Sequence, residues 1–293
     1  MEIIKPSCEL WVQDDPMAHV ARCARVCYAS DKTTGNEAMY QRLIDANHKS
    51  MLRHESVYMI APGRSDRHEI LDAFEFCPYV DFRTDYDNNE IYISTNRQFY
   101  MENECIQYFG EWIVTPEEFA ASKLGKEIMR YTFKVVTQIS TSRELNRVSP
   151  NNIAEQSTRY VNLSKKSGAI CQPWWMTDET VKVFNTTTIL PDGFYSANEE
   201  TVNYCWHCDS CFQVYNKLIS KGMKPQDARG VLPLDTATVC VYTYSISEWR
   251  HIIDLRYYGT TGAAHPNAVI IAGMIRDELI KLGYEFPKTK KED

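Results

Sequence analysis

Arginines, carboxylates and hydroxyls crowd residues 142–160. The run opens Ser142-Arg143-Glu144-Leu145-Asn146-Arg147 and closes Glu155-Gln156-Ser157-Thr158-Arg159-Tyr160. Arginine presents a rigid fork of donors that matches phosphate, and serine or threonine adds neutral hydrogen bonds. Glu144 and Glu155 can accept from ribose hydroxyls or from a base. That inventory suits a nucleotide better than a fatty acid or a peptide. A charged run is often no more than a solvated face. Here Arg229 precedes a Leu-Pro break, and Arg250 and Arg256 lie on an amphipathic stretch, each beside apolar neighbours. Separate arginines next to buried positions point to one shared anion pocket.

Other clusters are weaker. Cys205, Cys208 and Cys211 recur every third residue around His207. Structural zinc needs four tetrahedral ligands, and His207 is turned off that face by the helix rotation of about 100° per residue. Core thiols are the expectation, with no metal. His48 and His54 flank a run without a well-spaced carboxylate, so His48 reads as a helix C-cap or pocket edge. No dinucleotide glycine fingerprint, P-loop or nucleophile elbow occurs in the chain.

The elements that must hold these residues follow from periodicity and breakers. Helices are expected at 16–29, capped by Asp14 or Asp15, and at 36–48, with Met39, Leu43 and Ile44 on one face. A strand is expected at 57–61. Residues 62–90 are charged and hold Pro62 and Gly63, which predicts a surface insertion, bounded at 62–125. Thr115-Pro116-Glu117-Glu118 is a capping box. Alternation over 128–136 predicts a half-buried strand, with Arg130, Thr132 and Lys134 on its polar side. The arginine run then forms a helix to Arg147, stopped by Pro150, and 157–160 forms a loop or turn. A long helix spans 198–220 and a β-branched strand 236–244. Ser245-Ile246-Ser247-Glu248 caps a helix through Arg256, and Pro266 starts the last one, to about Leu282. One α+β domain, 1–293, with no repeat or linker, is the simplest organisation.

Composition bounds the rest. The 293 residues are 44% hydrophobic and 12% aromatic, enough for a sizeable core. A net charge of −7 argues against a general binder of nucleic-acid polymers. Met1–Pro6 lacks a basic region followed by an apolar run, so no signal peptide is expected. No stretch approaches the roughly 18 apolar residues of a membrane helix. Ten cysteines without an export signal read as reduced thiols in a cytoplasmic protein.

Taken together, these motifs resemble the flavin-dependent thymidylate synthase family (ThyX). The resemblance runs from about Ala21 to Phe286. It is carried by Ala24-Arg25-Val26-Cys27-Tyr28, the His48–His54 run, Glu155–Tyr160, Ala228-Arg229-Gly230-Val231-Leu232-Pro233, Glu248–Arg256 and Ala264-His265-Pro266. It implies a mixed α/β fold, an antiparallel sheet with flanking helices, in a homotetramer with shared sites. It implies reductive methylation of dUMP to dTMP with FAD, methylenetetrahydrofolate and NADPH, and no cysteine nucleophile. By position, Arg147, Gln156, Ser157, Thr158, Arg159 and Arg229 would hold dUMP, with Glu144 and Glu155 lining the same site. Arg256 would stabilise the deprotonated N3 of the uracil, a fixed cation beside a developing anion. Ser50, His251 and Ser245 would lie along the flavin, with Arg147, Val148, Ser149 and Glu155, and His48 near the flavin–folate region.

The family signature Arg-His-Arg-x7-Ser is degenerate here. Its first three positions read Arg147-Val148-Ser149, and only the first arginine and Ser157 remain. Arg143, one turn before Arg147, and Arg53 are the candidates to replace the missing charge. Two alternatives therefore stand beside the synthase. One is a nucleotide-binding paralogue without that activity; the other is an enzyme acting on C5 of another pyrimidine nucleotide.

Overall fold

The computed structural model describes residues 1–30, 32, 34–63, 77–103, 109–147, 152–165, 168–186 and 199–288. Its centre is a four-stranded antiparallel sheet in the order β2-β6-β9-β7. These strands are β2 Ser7–Trp11, β6 Arg130–Gln138, β7 Ile153–Glu155 and β9 Ala237–Ser245. β6 and β9 pair over their full length, from Arg130 opposite Ser245 to Gln138 opposite Ala237. β1 (Glu2–Ile4) and β8 (Ala169–Cys171) form a short parallel pair. β3 (Ser56–Pro62), β4 (Asp81–Asp85) and β5 (Glu90–Asn96) form a second antiparallel sheet in the order β3-β5-β4.

The period-two pattern of β6 sends Phe133 and Val135 to one face, where Tyr242, Tyr244 and Cys240 of β9 join them. Helices Ile246–Arg256 and Pro266–Lys281 cover that face with Trp249, Ile253, Ile271 and Ile275. Trp249 meets Phe133 edge-on at 5.2 Å and donates its indole N–H to the Tyr131 carbonyl at 3.1 Å. Helix Pro16–Val26 lies on the opposite face, where Cys23 packs with Trp11, Ala154 and Val241. Both faces are therefore covered, and the half-buried expectation for β6 needs correction. Arg130 and Thr132, read as its wet side, are buried. Hydrogen bonds offset part of the cost of that burial, although the Arg130 Nε is buried without a partner. Thr132 joins Thr243 at 2.8 Å and His19 at 3.1 Å, and Arg130 donates to the Thr243 carbonyl at 3.2 Å.

Local chemistry sets the boundaries. Asp15 caps Pro16–Val26 by accepting from Met17 and Ala18, and this helix stops three residues short of the expected 29. The second helix is Asn36–Asp45, followed by a tight turn and a 3-10 helix, Lys49–His54. Both expected capping boxes form, at Thr115 and at Ser245. The long helix is Glu199–Ser220 and ends before Gly222, whose φ of 90° only glycine adopts without strain. On it, Cys205 and Cys208 pack with Phe212 and Tyr215 in a second core, and burial pushes the Cys208 thiol up to about 11. Within the stretch expected as a surface insertion, 62–125, β5 is the middle strand of the second sheet and Ile91–Asn96 are buried. Those six residues are core.

Candidate functional site

Helix Ile139–Asn146 leaves the end of β6 and runs beside the edge strand β7. Ser142 and Asn146 lie one turn apart on one side of it, and Arg143 lies one turn beyond Ile139 on another. The first pair fixes a carboxylate. Glu155 accepts from the Ser142 hydroxyl at 2.9 Å and, more weakly, from the Asn146 amide at 3.5 Å. Thr238 of β9 adds a third donor at 3.2 Å. Three neutral donors on one carboxylate hold it at a set angle without neutralising its charge.

After Glu155 the chain leaves the sheet and is pinned by its backbone. Gln156 donates to the Val239 carbonyl at 2.8 Å, and Ser157 donates to the Cys27 carbonyl at 2.9 Å, at the end of helix Pro16–Val26. The Ser157 hydroxyl accepts from the Arg159 N–H at 3.2 Å, and Val161 N–H closes on the Ser157 carbonyl. Across from this turn, Arg229 opens the short 3-10 segment Arg229–Val231. Its Nε donates to the Gln226 carbonyl at 3.1 Å and its Nη1 to the Thr158 hydroxyl at 2.9 Å. Between these walls lies an open cavity of about 610 Å³, within the range of small-molecule sites, about 300–1,000 Å³. Arg143, Glu155, Gln156, Ser157, Thr158 and Arg229 line one side; Ile139, Leu232, Pro233 and Leu234 supply an apolar wall. Two guanidinium groups, hydroxyls and one fixed carboxylate can hold an anion at one end and a hydrogen-bond donor at the other.

Cysteine chemistry is disfavoured here. Burial first, and then the Glu155 charge, push the Cys240 thiol well above its ordinary value, and burial pushes Cys171 up to about 12. A thiol that holds its proton is a poor nucleophile. Among the described residues no group of three or more histidines, cysteines or carboxylates could hold a metal ion.

The cavity gathers part of the expected set. Glu155, Gln156, Ser157, Thr158 and Arg229 line it together, and Arg143 lines the same space. Arg147 caps the helix C-terminus and Arg159 lies over the Tyr160 ring at 5.3 Å; both are exposed and outside the lining. Arg256 and Glu144 meet each other instead, the Arg256 Nε donating to the Glu144 carbonyl at 3.0 Å. This places a cation at the C-terminus of helix Ile139–Asn146, where the helix dipole favours it. His48, Ser50 and His251 are exposed elsewhere. Ser245 is fully buried and spends its hydroxyl on Glu248 N–H at the helix N-cap. Val148 and Ser149 lie outside the described residues. Sequence reasoning missed Ser142, Asn146 and Thr238 as the holders of Glu155. The i, i+4 spacing of the first two was a usable signal; the Thr238 contact depends on the β7–β9 register and had none.

The family model described as thymidylate synthase complementing protein matches residues 125–282, which contain every residue lining the cavity. A protein described as a probable flavin-dependent thymidylate synthase, from Paramecium bursaria Chlorella virus 1, is 34% identical over 79 residues. That match covers 27% of this chain and 34% of the relative, so the chain spans about a third of the length of that relative. Among solved structures, the chain is similar to a UMP/dUMP methylase, PolB, from Streptomyces cacaoi, bound with 5-Br dUMP. Identity is 16%, coverage 96% of this chain and 93% of that one, and the TM-score 0.45. The same methylase bound with 5-Br UMP gives 16% identity, coverage of 96% and 92%, and a TM-score of 0.43.

Proposed function

The chain belongs to the thymidylate synthase complementing protein family, and from that premise we propose that it binds dUMP between Arg143 and Arg229 and serves its C5 methylation to dTMP. The observation that carries this reading is the fixed Glu155 carboxylate facing two guanidinium groups in one cavity. The guanidinium groups and the Ser157 and Thr158 hydroxyls donate to the phosphate. Glu155, already oriented, accepts from a ribose hydroxyl or the base. The apolar wall of Leu232 and Pro233 shields one flank from water. What the chain contributes to the reaction is position: a nucleotide held at both ends cannot rotate its C5 away from an incoming carbon.

Family membership brings FAD, methylenetetrahydrofolate and NADPH into the proposal as cofactor and co-substrates. Four of the residues assigned to the flavin by resemblance, His48, Ser50, Ser245 and His251, do not gather at this cavity within one chain. Ser245 is buried in a helix cap, and His48, Ser50 and His251 are exposed and outside the cavity. A flavin on this protein would need a second copy to complete its site, and a homotetramer with shared sites is part of the proposal. Arg256 is the activating residue in this reading, reaching a uracil held by a neighbouring chain.

The same scattered flavin residues favour a second reading, a nucleotide-binding relative that has lost the synthase step. Incubation with C5-tritiated dUMP, FAD, methylenetetrahydrofolate and NADPH separates the two. Tritium release supports the synthase. Saturable dUMP binding without release supports the second reading, and absence of dUMP binding overturns both.

A further inference from the structure

A second cationic cleft lies on the far side of the Gln156 turn. It consists of two adjoining cavities of about 390 and 440 Å³ that share Arg25, Ser30 and Lys32. Arg22 and Lys134 line the first and Arg42 lines the second. Among the described residues the lining of both contains no carboxylate, in a chain of net charge −7. Most of this cleft comes from residues before 125, outside the family match.

Arg25 is the informative member. It is 9% exposed, and its guanidinium donates to the Asn36 side chain at 2.6 Å and the Thr34 carbonyl at 2.9 Å. Both acceptors are neutral, and Arg25 makes no ion pair among the described residues. A buried cation without a counter-charge is costly, and an anionic ligand relieves that cost. Lys32 and Arg42 are exposed beside it. Tyr28, 48% exposed, lines the second cavity and has the Tyr160 ring 5.7 Å away. An open aromatic face next to clustered cations matches a ring joined to several negative charges.

We propose that this cleft binds a nucleotide carrying a diphosphate, with its phosphates on Arg25 and Lys32, shared by both cavities, and its base against Tyr28. The site is separate from the Arg143–Arg229 cavity and stands whether or not dUMP binds there. Glu9 sits outside the lining and pairs with Arg22 at 3.3 Å and Lys134 at 3.4 Å, which damps the field of the cleft.

Calorimetric titration of the full chain with ADP, inorganic pyrophosphate and adenosine tests the proposal. The expected result is saturable ADP binding, tighter than pyrophosphate, with adenosine silent. Lys32→Ala with Arg42→Ala weakens both phosphate ligands by about tenfold. Tyr28→Ala weakens ADP alone, and Glu9→Gln, a gain that misfolding cannot mimic, tightens both. Arg229→Ala leaves ADP unchanged. ADP no tighter than pyrophosphate overturns the proposal. So does ADP binding that is abolished by Arg229→Ala and indifferent to Lys32→Ala with Arg42→Ala.

Discussion

Arg229 and Glu155 divide the work at the proposed nucleotide cavity. Arg229 is held by a carbonyl and a hydroxyl, neither of which neutralises it, so its charge stays available. Removing a charged hydrogen bond costs about 1.5–3 kcal/mol. Arg229→Ala should therefore weaken dUMP about ten- to a hundredfold by direct titration, and Arg229→Lys should recover little, since lysine lacks the fork. Glu155→Gln keeps the shape but turns an acceptor-only group into one that also donates. It should lower dUMP affinity and also thermal stability, because the Ser142 and Thr238 hydroxyls lose a charged acceptor. At this scale the sequence was legible where residues are neighbours in the chain, as in Glu155–Thr158. It did not show that Arg147, Arg159 and Arg256, whose charge type fits phosphate, lie outside the lining of this cavity within one chain. The direction of a side chain depends on where its element ends, and no spacing rule fixes that.

The strand β6 shows what the elements add. His19, Thr132, Thr243 and His54 form one buried chain of hydrogen bonds linking helix Pro16–Val26, β6, β9 and the 3-10 helix Lys49–His54. Burial holds His19 down to about 4 and His54 to about 3, from an ordinary 6.5. Above pH 6.5 both folded and unfolded chains carry neutral imidazoles, and this stability is intact. Below it the unfolded chain takes up protons that the folded one refuses. Each histidine then costs about 1.4 kcal/mol per pH unit until its folded value is reached. The urea midpoint should fall steeply as pH drops from about 7 to about 5, and His54→Gln should flatten that slope. Ser245→Ala removes the helix N-cap and should lower Tm by about 2–4 °C. A flavin role for Ser245 would instead show as lost cofactor at unchanged Tm. Helices and capping boxes were legible because their signals are local. The burial of Arg130 and Thr132 was not, because a strand's alternation reports a difference between its faces and not whether a second layer covers the polar one.

For the whole molecule, the residues implied by resemblance form two groups. One lines the cavity, and the other, Arg256 with His48, Ser50, Ser245 and His251, lies outside its lining in the same chain. The proposed sharing of sites between copies would reconcile them, and on that proposal sedimentation should give a tetramer. Arg229→Ala and Arg256→Ala chains, each inactive alone, should recover part of the activity when co-assembled, since some sites then receive both arginines intact. No helix among the described residues is long and apolar enough to cross a membrane. The antiparallel sheet and its flanking helices were anticipated. The second sheet was not, because Ile91–Asn96 lies next to a charged turn whose composition outweighed the short apolar run.

Direct titration of dUMP into the unmodified protein and into the Arg143→Ala, Arg229→Ala double variant is the shortest route to the central claim. The account predicts one saturable site per chain in the first and affinity lost by about a hundredfold or more in the second. Equal dUMP affinity in both proteins would contradict it.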